Sequence, residues 1–406
     1  MKRSDYRRLK LFREHVAHAL GDYRRRMSDA DAVATISQLL ALRQPTPIIH
    51  PGTAPASGYA VDAAEAGWSD PADGVSIIIP SRDEARLIWT LDNIVATRQL
   101  DDPPAELVLV DDGGERPVEV PTETMDALVA SGLPVTVSRL QSPVGNCFAR
   151  HHGITLARYN CCLLLDAHMD FPPGGWLADV YRIHRERPGA VACAVCTHMS
   201  DDGRRDAFTR AGSARYYGAA VAERQTTTNG ERRILQGVWN RGPRRDAIME
   251  ALKAGEAAPT ASTMGGAYIV PKDVYTTRLA GVWQYLRGWG TAEPTLCLWA
   301  HMMGVPVEVW PVEIGHLFRG KTAVPYATRT VYIRYNQVFL ARLLMGPGEG
   351  WQSLASHLRM QPDWQAQVDA MIDAVPWEGL DGHRDACAVM DYDALAAQWI
   401  DRDGHE

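Results

Sequence analysis

A short segment with two potential metal ligands is the first feature of the sequence that could do chemistry. Asp166 and His168 follow the apolar residues 163–165 and stand two positions apart. In extended backbone, residues i and i+2 point to the same side, so one carboxylate and one imidazole can reach a single ion. That pair suits Mn²⁺ or another first-row ion and leaves coordination positions for a phosphate-bearing ligand. The spacing is equally compatible with a strand end that carries two solvated polar groups.

A histidine far along the chain is a candidate third ligand. His316 follows the apolar run 307–314 and a glycine, and Arg319 and Lys321 come just after it. If this run is a strand of the same sheet, His316 can reach the carboxylate and imidazole pair, although a lone histidine is more often structural. The two basic residues could then neutralise a diphosphate.

Carboxylates and glycines near other apolar runs are candidate ligand contacts. Asp83, Glu84, Asp111 and Asp112 follow the first two runs. A carboxylate there can accept a hydrogen bond from a base imide or a ribose hydroxyl, and loop or helix-cap polarity is the alternative. Gly265 and Gly266 precede a later apolar run, and paired glycines let a ligand approach the backbone closely.

These residues are positioned by apolar runs that alternate with helical patterns. The sequence predicts strands over residues 75–80, 106–111, 134–138 and 159–165, and helices over 84–98 and 146–158. Continuous apolar runs are typical of strands buried on both faces. Their alternation with helices predicts an α/β fold with a mostly parallel, doubly wound sheet. Ligands of such sheets bind outside the carboxyl ends of the strands, where the acidic residues lie.

Composition and charge fit a globular chain with more than one unit. The 406 residues are 46% hydrophobic and 22% charged, with a net charge of −7. This acidic balance argues against a nucleic-acid binder. We expect no transmembrane segment and no secretory signal, and seven cysteines without framework spacing indicate reduced thiols in the cytoplasm. We predict a helical N-terminal extension and linker at 1–73, which opens with a basic amphipathic helix, a catalytic domain at 74–345, and a helical tail at 346–406.

Across about residues 74–345, the order of the motifs resembles GT-A fold glycosyltransferases, most closely the polypeptide N-acetylgalactosaminyltransferases. Residues 166–168 are similar to the Asp-x-His motif of that family, and residues 315–319 to its Gly-His-Val-Phe-Arg segment. Residues 107–112, 145–153 and 262–266 resemble its Val-Asp-Asp, its Arg-containing helix and its sugar-side Gly-Gly. The resemblance implies a GT-A fold that holds Mn²⁺ or Mg²⁺ through Asp166, His168 and His316.

The resemblance also implies roles for the remaining candidates. Those on the nucleotide side would hold uridine, ribose and diphosphate, and they are Asp83, Asp111, Arg150, Asp166, Arg319, Lys321 and Tyr326. Those on the sugar side would line the sugar pocket or take part in catalysis, and they are Gly265, Gly266, Trp289 and Glu293. The family's Trp-Gly-Gly-Glu-Asn-x-Glu motif corresponds here to residues 289–293, two residues shorter.

The activity that the resemblance implies is transfer of an N-acetylhexosamine from UDP-GlcNAc or UDP-GalNAc to a hydroxyl group, with retention of configuration. The acceptor would be a small-molecule natural product, such as a nucleoside, or a peptide. One alternative is an inverting, family-2-like glycosyltransferase with Glu293 as general base. Another is a degenerate transferase kept as a nucleotide-sugar-binding scaffold protein, which the altered 289–293 segment favours and the full set of metal ligands opposes. No lectin-like domain is expected in the tail.

Overall fold

The computed structural model describes residues 48–50, 73–99, 101–199, 214–318 and 329–402. The strands are β1 (Ile48–His50), β2 (Val75–Ser81), β3 (Ala105–Asp111), β4 (Val135–Arg139), β5 (Cys161–Leu165), β6 (Met169–Asp170), β7 (Val191–Met199), β8 (Arg215–Tyr216), β9 (Ala219–Thr226), β10 (Arg232–Trp239), β11 (Ala258–Pro259), β12 (Ala267–Pro271), β13 (Val307–Leu317) and β14 (Ile400–Asp401). The α-helices are α1 (Leu87–Thr97), α2 (Thr122–Ala130), α3 (Asn146–Leu156), α4 (Trp176–Glu186), α5 (Gly242–Lys253), α6 (Ala292–Met302), α7 (Thr330–Met345), α8 (Gly350–Ala355), α9 (Pro362–Asp373), α10 (Trp377–Cys387) and α11 (Tyr392–Trp399).

The described strands form one large sheet and one small one. The large sheet has the order β1-β4-β3-β2-β5-β12-β7-β13-β11, with β6 paired to β13 and β8 to β7, and the small sheet has the order β10-β9-β14. Strands β4, β3, β2 and β5 are mutually parallel, β12 runs antiparallel between β5 and β7, and β7 and β13 are again parallel. The predicted mostly parallel α/β sheet is confirmed. Because β3 and β5 flank β2 on opposite sides, a topological switch point opens beside the end of β2.

The central strands are buried on both faces because their successive side chains enter two different cores. Along β2, Ile78 packs into one hydrophobic cluster, whereas Ile77 and Ile79 pack into the other. Side chains of an extended strand alternate between its two faces. All three isoleucines are fully buried. Apolar cores on both sides therefore account for the continuous apolar runs of the sequence.

Two short strands lie where the sequence pattern predicted none. Strand β1 lies in the predicted linker and pairs antiparallel with β4, and β14 ends the tail and pairs in parallel with β9. Each has two or three residues, too few for a periodic signature. The tail is otherwise helical, from α8 to α11, as predicted. The predicted basic helix at the N-terminus lies outside the described residues, and no described helix has the length and apolar composition needed to cross a membrane.

Helix α3 lies against β2 at a glycine. An added Cβ on Gly153 would lie 2.3 Å from Ile78 Cγ2 and 3.3 Å from Val110 Cγ2. Both of these side chains are buried and β-branched, so neither can move aside easily. The close approach of α3 to the sheet therefore depends on the absence of a side chain at position 153.

We expect Gly153→Ala and Gly379→Ala to change stability in opposite directions. Alanine in a helix normally stabilises by about 0.5–1 kcal/mol relative to glycine, and Gly379 in α10 is exposed with no atom near an added Cβ. At Gly153 the collision with Ile78 outweighs that gain, so the variant loses about 1–3 kcal/mol. Urea denaturation of both variants measures the difference, and equal stabilisation by the two would contradict the close packing of α3.

Candidate active site

The candidate metal ligands meet because the last part of β13 pairs with the short strand that follows β5. Asp166 directly follows β5, and the chain then turns into β6. Strand β13 pairs with β7 along its whole length, and its last part also pairs with β6, with Gly315 opposite Asp170 and His316 opposite Met169. His316 is part of β13 itself, rather than of a loop after it. This pairing places His316 next to the turn that holds Asp166 and His168, although His316 follows Asp166 by 150 residues in the sequence.

The three side chains form a compact cluster. One ligand atom from each of Asp166, His168 and His316 lies within 4.8 Å of the others. His316 Nε2 is 3.3 Å from Asp166 Oδ2, and the two imidazole rings are 4.9 Å apart between centroids. Gly266 lies against the cluster with a φ of +79°, and a Cβ there would come within 2.9 Å of Asp166 Oδ2 and 2.7 Å of His316 Cδ2. A side chain at 266 would therefore fill the space between the ligands.

The protonation states of the cluster are those of metal ligands. Burial lowers the pKa of His168 and of His316, and this effect exceeds the opposing influence of the Asp166 carboxylate. Burial alone would raise the pKa of Asp166, but its hydrogen bond with His316 and the charge of Arg150 outweigh it, so this pKa lies below its usual range. Near neutral pH the cluster is one carboxylate and two neutral imidazoles, which are the forms that bind a metal. His316 Nδ1 is buried without a hydrogen-bond partner.

A buried arginine holds Asp166 from behind. Arg150, on α3, is 1% exposed, and its Nη2 donates to Asp166 Oδ1 at 2.7 Å. Its Nη1 lies 3.6 Å from Glu293 Oε1, and its guanidinium stacks 4.8 Å above the ring of Tyr268. The Tyr268 hydroxyl donates to the same Glu293 oxygen at 2.8 Å and accepts from the amide of Gly266 at 3.1 Å. Predicted residues of the metal side and the sugar side therefore belong to one buried network.

A cavity of about 490 Å³ opens at the switch point beside the end of β2. Asp166, His168 and His316 lie on one part of its wall, and Trp289 lies on another. Trp289 is 46% exposed, which is unusual for its size. Arg150 is buried and the side chain of Glu293 is 23% exposed, and neither residue lines the cavity.

Two of the predicted nucleotide-side carboxylates, Asp83 and Asp111, do not line this cavity. Asp111 is buried and engaged, because it accepts from Arg139 Nη1 at 2.5 Å and from the amides of Gly113 and Val118 at 3.0 and 2.9 Å. Asp83 lines a smaller neighbouring cavity of about 280 Å³. Arg319, Lys321 and Tyr326 lie outside the described residues. Gly265 approaches Cys196 with a φ of +107° and does not line the main cavity.

The cavity is lined instead by polar residues to which the resemblance assigned no role, including two of the candidate carboxylates, Glu84 and Asp112. Asp112 lies on its wall, and its carboxylate accepts from the amides of Val144 and Gly145 at 2.8 and 3.1 Å. Burial raises the pKa of Asp112 to about 6, against the effect of those two hydrogen bonds. Alternation along the chain indicates that Asp111 and Asp112 face opposite sides, but not which of them faces the cavity. The remaining polar members of the wall include Arg82, Glu84, Arg329 and Tyr332.

Comparisons with known proteins agree with this geometry. The model of the family described as Glycosyl transferase family 2 matches residues 76–242. The structure of GalNAc-T7 with UDP, GalNAc and Mn²⁺ has a TM-score of 0.56 and 15% identity, over 81% of this chain and 57% of that one. The structure of S. aureus TarS 1-349 with UDP-GlcNAc has a TM-score of 0.43 and 14% identity, over 76% of this chain and 83% of that one. No curated protein matches the chain.

Residues 76–242 therefore match a glycosyltransferase family 2 domain, the fold is of the GT-A type, and the prediction of a glycosyltransferase enzyme is confirmed at that level. The match includes Asp166 and His168 but ends before His316, Trp289 and Glu293. At 15% identity the similarity to GalNAc-T7 shows the fold alone, and the chain spans little more than half of that protein. The narrower resemblance to the polypeptide N-acetylgalactosaminyltransferases stays a prediction.

We expect Asp112→Asn to change how stability depends on pH. Between about pH 4 and 6 the folded Asp112 carboxyl keeps its proton, whereas the same group in the unfolded chain is already ionised. The folded state therefore loses stability as pH rises through this window, by up to about 3 kcal/mol, and asparagine does not titrate. Relative to the variant, the wild type should lose unfolding free energy from pH 4 to 7 in urea titrations. If the difference in unfolding free energy between the wild type and Asp112→Asn stays constant from pH 4 to 7, the prediction is contradicted. Asp126→Asn, at an exposed position of α2, is the control.

Removal of the buried cation should be far more costly than removal of an exposed one. Arg150→Leu removes the fully buried cation from the partly exposed Asp166 carboxylate, and we expect a loss of about 2–4 kcal/mol in unfolding free energy. Arg182→Leu removes an arginine that pairs with Asp179 and Glu186 on the exposed face of α4, and should cost about 0–1 kcal/mol. Chemical denaturation compares the two. Similar losses of unfolding free energy in the two variants would contradict the conclusion that the ion pair of Arg150 is more shielded from water than that of Arg182.

Proposed function

We propose that the chain transfers an N-acetylhexosamine from a UDP-sugar to an acceptor hydroxyl, with Mn²⁺ held by Asp166, His168 and His316. The observation that carries the proposal is the cluster of one carboxylate and two neutral imidazoles, open to a cavity at the switch point of the sheet. Ligands of doubly wound sheets bind at this place. When bound there, the metal would act as a Lewis acid that stabilises negative charge on the departing diphosphate.

The surrounding residues support a nucleotide in one orientation. Asp112 and Arg82 lie on the cavity wall beside the end of β2, so we assign the nucleoside to that end. Asp166 points Oδ2 toward His316 because Arg150 occupies Oδ1. The diphosphate would then lie between the nucleoside end and Trp289. Arg319, Lys321 and Tyr326 are proposed to close over it, and Asp83 and Asp111 to support the nucleoside loops.

The surroundings of Glu293 favour retention over inversion. A general base must reach the acceptor hydroxyl directly or through one water. Glu293 Oε1 already accepts from Tyr268 and lies 3.6 Å from Arg150, and Glu293 does not line the cavity. A carboxylate in that position orders the sugar pocket rather than receiving the acceptor proton. We therefore propose retention of configuration, with Glu293, Gly265 and Gly266 supporting the sugar and Trp289 as its wall.

The acceptor side of the cavity is aromatic. Phe318 lies on the cavity wall and stacks on His198 with centroids 5.3 Å apart. Tyr216 and Trp239 lie 5.2 and 5.9 Å from the same ring. Such a surface suits an acceptor with a ring or an apolar side chain next to its hydroxyl. A nucleoside-like natural product and a peptide both fit this description, so both should be tested as acceptors.

The proposal is tested by UDP release from a panel of UDP-sugars, with Mn²⁺ and with EDTA. We expect turnover of one N-acetylhexosamine donor with Mn²⁺ and none with EDTA. His316→Ala removes a ligand of the cluster, so UDP affinity in the presence of Mn²⁺ should fall by about 100-fold or more. His383→Ala is the matched control, because this histidine lies on α10 and contacts the Arg278 carbonyl instead.

The outcomes separate the alternatives. UDP binding that depends on Mn²⁺, without release from any donor, would point to a missing acceptor, whereas loss of Mn²⁺-dependent nucleotide binding would favour the scaffold protein. UDP affinity unchanged by EDTA and by His316→Ala would overturn the metal assignment. The stereochemistry of the product, read by NMR, decides between retention and the inverting alternative.

A further inference from the structure

One buried side chain holds the loop that carries Trp289. Asn336, on α7, is fully buried. Its Oδ1 accepts from the amide of Arg287 at 2.9 Å, and its Nδ2 donates to the carbonyls of Arg287 and Gly290 at 2.8 and 2.9 Å. The carboxamide therefore bonds the backbone on both sides of Trp289. An asparagine side chain has four hydrogen-bonding positions, and three are used on this one loop.

The loop needs such support because its backbone is unusual. Gly288 and Gly290, which flank Trp289, have φ values of +59° and +101°, and Thr291 has a φ of +63°. A β-branched residue in the left-handed region costs of order 1–3 kcal/mol and persists only where its surroundings impose it. Without contacts to the rest of the protein, the two flanking glycines would allow the backbone at Trp289 to adopt many conformations.

A second contact fixes the loop from the opposite side. The amide of Gly288 donates to the Val144 carbonyl at 2.9 Å. Gly145 packs so closely on Gly288 that an added Cβ would lie 2.1 Å from its carbonyl oxygen. The ring of Tyr332 covers Gly288 as well, 2.8 Å from where a Cβ would be. The loop is thus held between the start of α3 and the start of α7.

The side chain that this arrangement presents is large, apolar and exposed. Trp289 lines the same cavity as Asp166 and His316, and 46% of its surface is accessible. Among the described residues no aromatic ring packs on its indole. A large aromatic surface on an immobilised backbone is preorganised for a ligand, because the conformational entropy of the loop is lost during folding rather than on binding.

We propose that Asn336 is a positioning residue that fixes Trp289 as a stationary wall for the ring of the transferred sugar. This inference rests on the proposed function for the identity of the ligand. It assigns Trp289 a fixed place in the free protein, in contrast to a lid that closes when the donor binds. Asn336 touches no ligand and acts only through the loop.

A double-mutant cycle in the full chain tests whether Asn336 acts through Trp289. We expect Trp289→Ala and Asn336→Leu each to raise the KM for the UDP-sugar by about fivefold or more, and to leave the affinity for UDP with Mn²⁺ within about twofold. Combined, they should be no worse than Trp289→Ala alone, because the loop has then lost the side chain it positions. Additive losses, or an unchanged KM in the single variants, would overturn the proposal. Asn336→Ala replaces Asn336→Leu if the latter does not fold.

A second readout does not depend on activity. In hydrogen exchange, peptides that cover residues 286–291 should exchange faster in Asn336→Leu, since the Arg287 amide loses its acceptor. Tyr335→Phe is the matched control, because it removes a hydrogen bond from α7 to the Tyr285 carbonyl, 2.8 Å long, and leaves the Asn336 contacts. Unchanged exchange in Asn336→Leu would overturn the positioning role. If the wild type binds no UDP-sugar, but exchange in residues 286–291 still differs between the wild type and Asn336→Leu, the proposed function is contradicted and the role of Asn336 in holding the loop stands.

Discussion

The ion pair between Arg150 and Asp166 is the interaction on which the rest of the site depends. A carboxylate next to two imidazoles, largely removed from water, needs a fixed counter-charge to stay ionised, and an arginine buried to 1% needs one too. Because Arg150 occupies Oδ1, Asp166 has Oδ2 left for the cluster with His316. Helix α3 must then lie close enough to the sheet to deliver the guanidinium beneath β5. The glycine at 153, which lets the helix contact Ile78, serves that requirement.

The same pair links the two halves of the cavity. Arg150 stacks on Tyr268, whose hydroxyl bonds both Glu293 and the amide of Gly266, while the Gly266 carbonyl accepts from the Asp166 amide at 2.8 Å. The antiparallel direction of β12 makes this circuit possible, because the strand begins at the edge where its neighbour β5 ends. A parallel strand in that place would put the paired glycines at the opposite edge of the sheet.

The sequence was sufficient for the elements whose cause is local, and insufficient where distant strands decide. Continuous apolar runs predicted β2, β3, β4 and β5, and the spacing of Asp166 and His168 predicted a shared strand end. His316 was a candidate only, since its approach depends on pairing between β13 and β6, which no local pattern encodes. The choice of Asp111 over Asp112 shows a related limit. Both follow the strand, and only the register with β4, where Arg139 meets Asp111, decides which one faces the cavity. Strands β1 and β14 are too short to carry a period at all.

Several buried groups of this site are poor choices for stability alone. Burial makes ionisation of Asp112 unfavourable, it keeps His168 and His316 neutral, and Thr291 occupies a backbone region that β-branched residues avoid. Apolar residues of similar size at such positions would cost less folding free energy in a protein with two large hydrophobic cores. Asp112, His168 and His316 all lie on the wall of one cavity. Local instability around a cavity is expected where ligands, rather than packing, complete the interactions, since a ligand that binds only the folded state returns the lost stability.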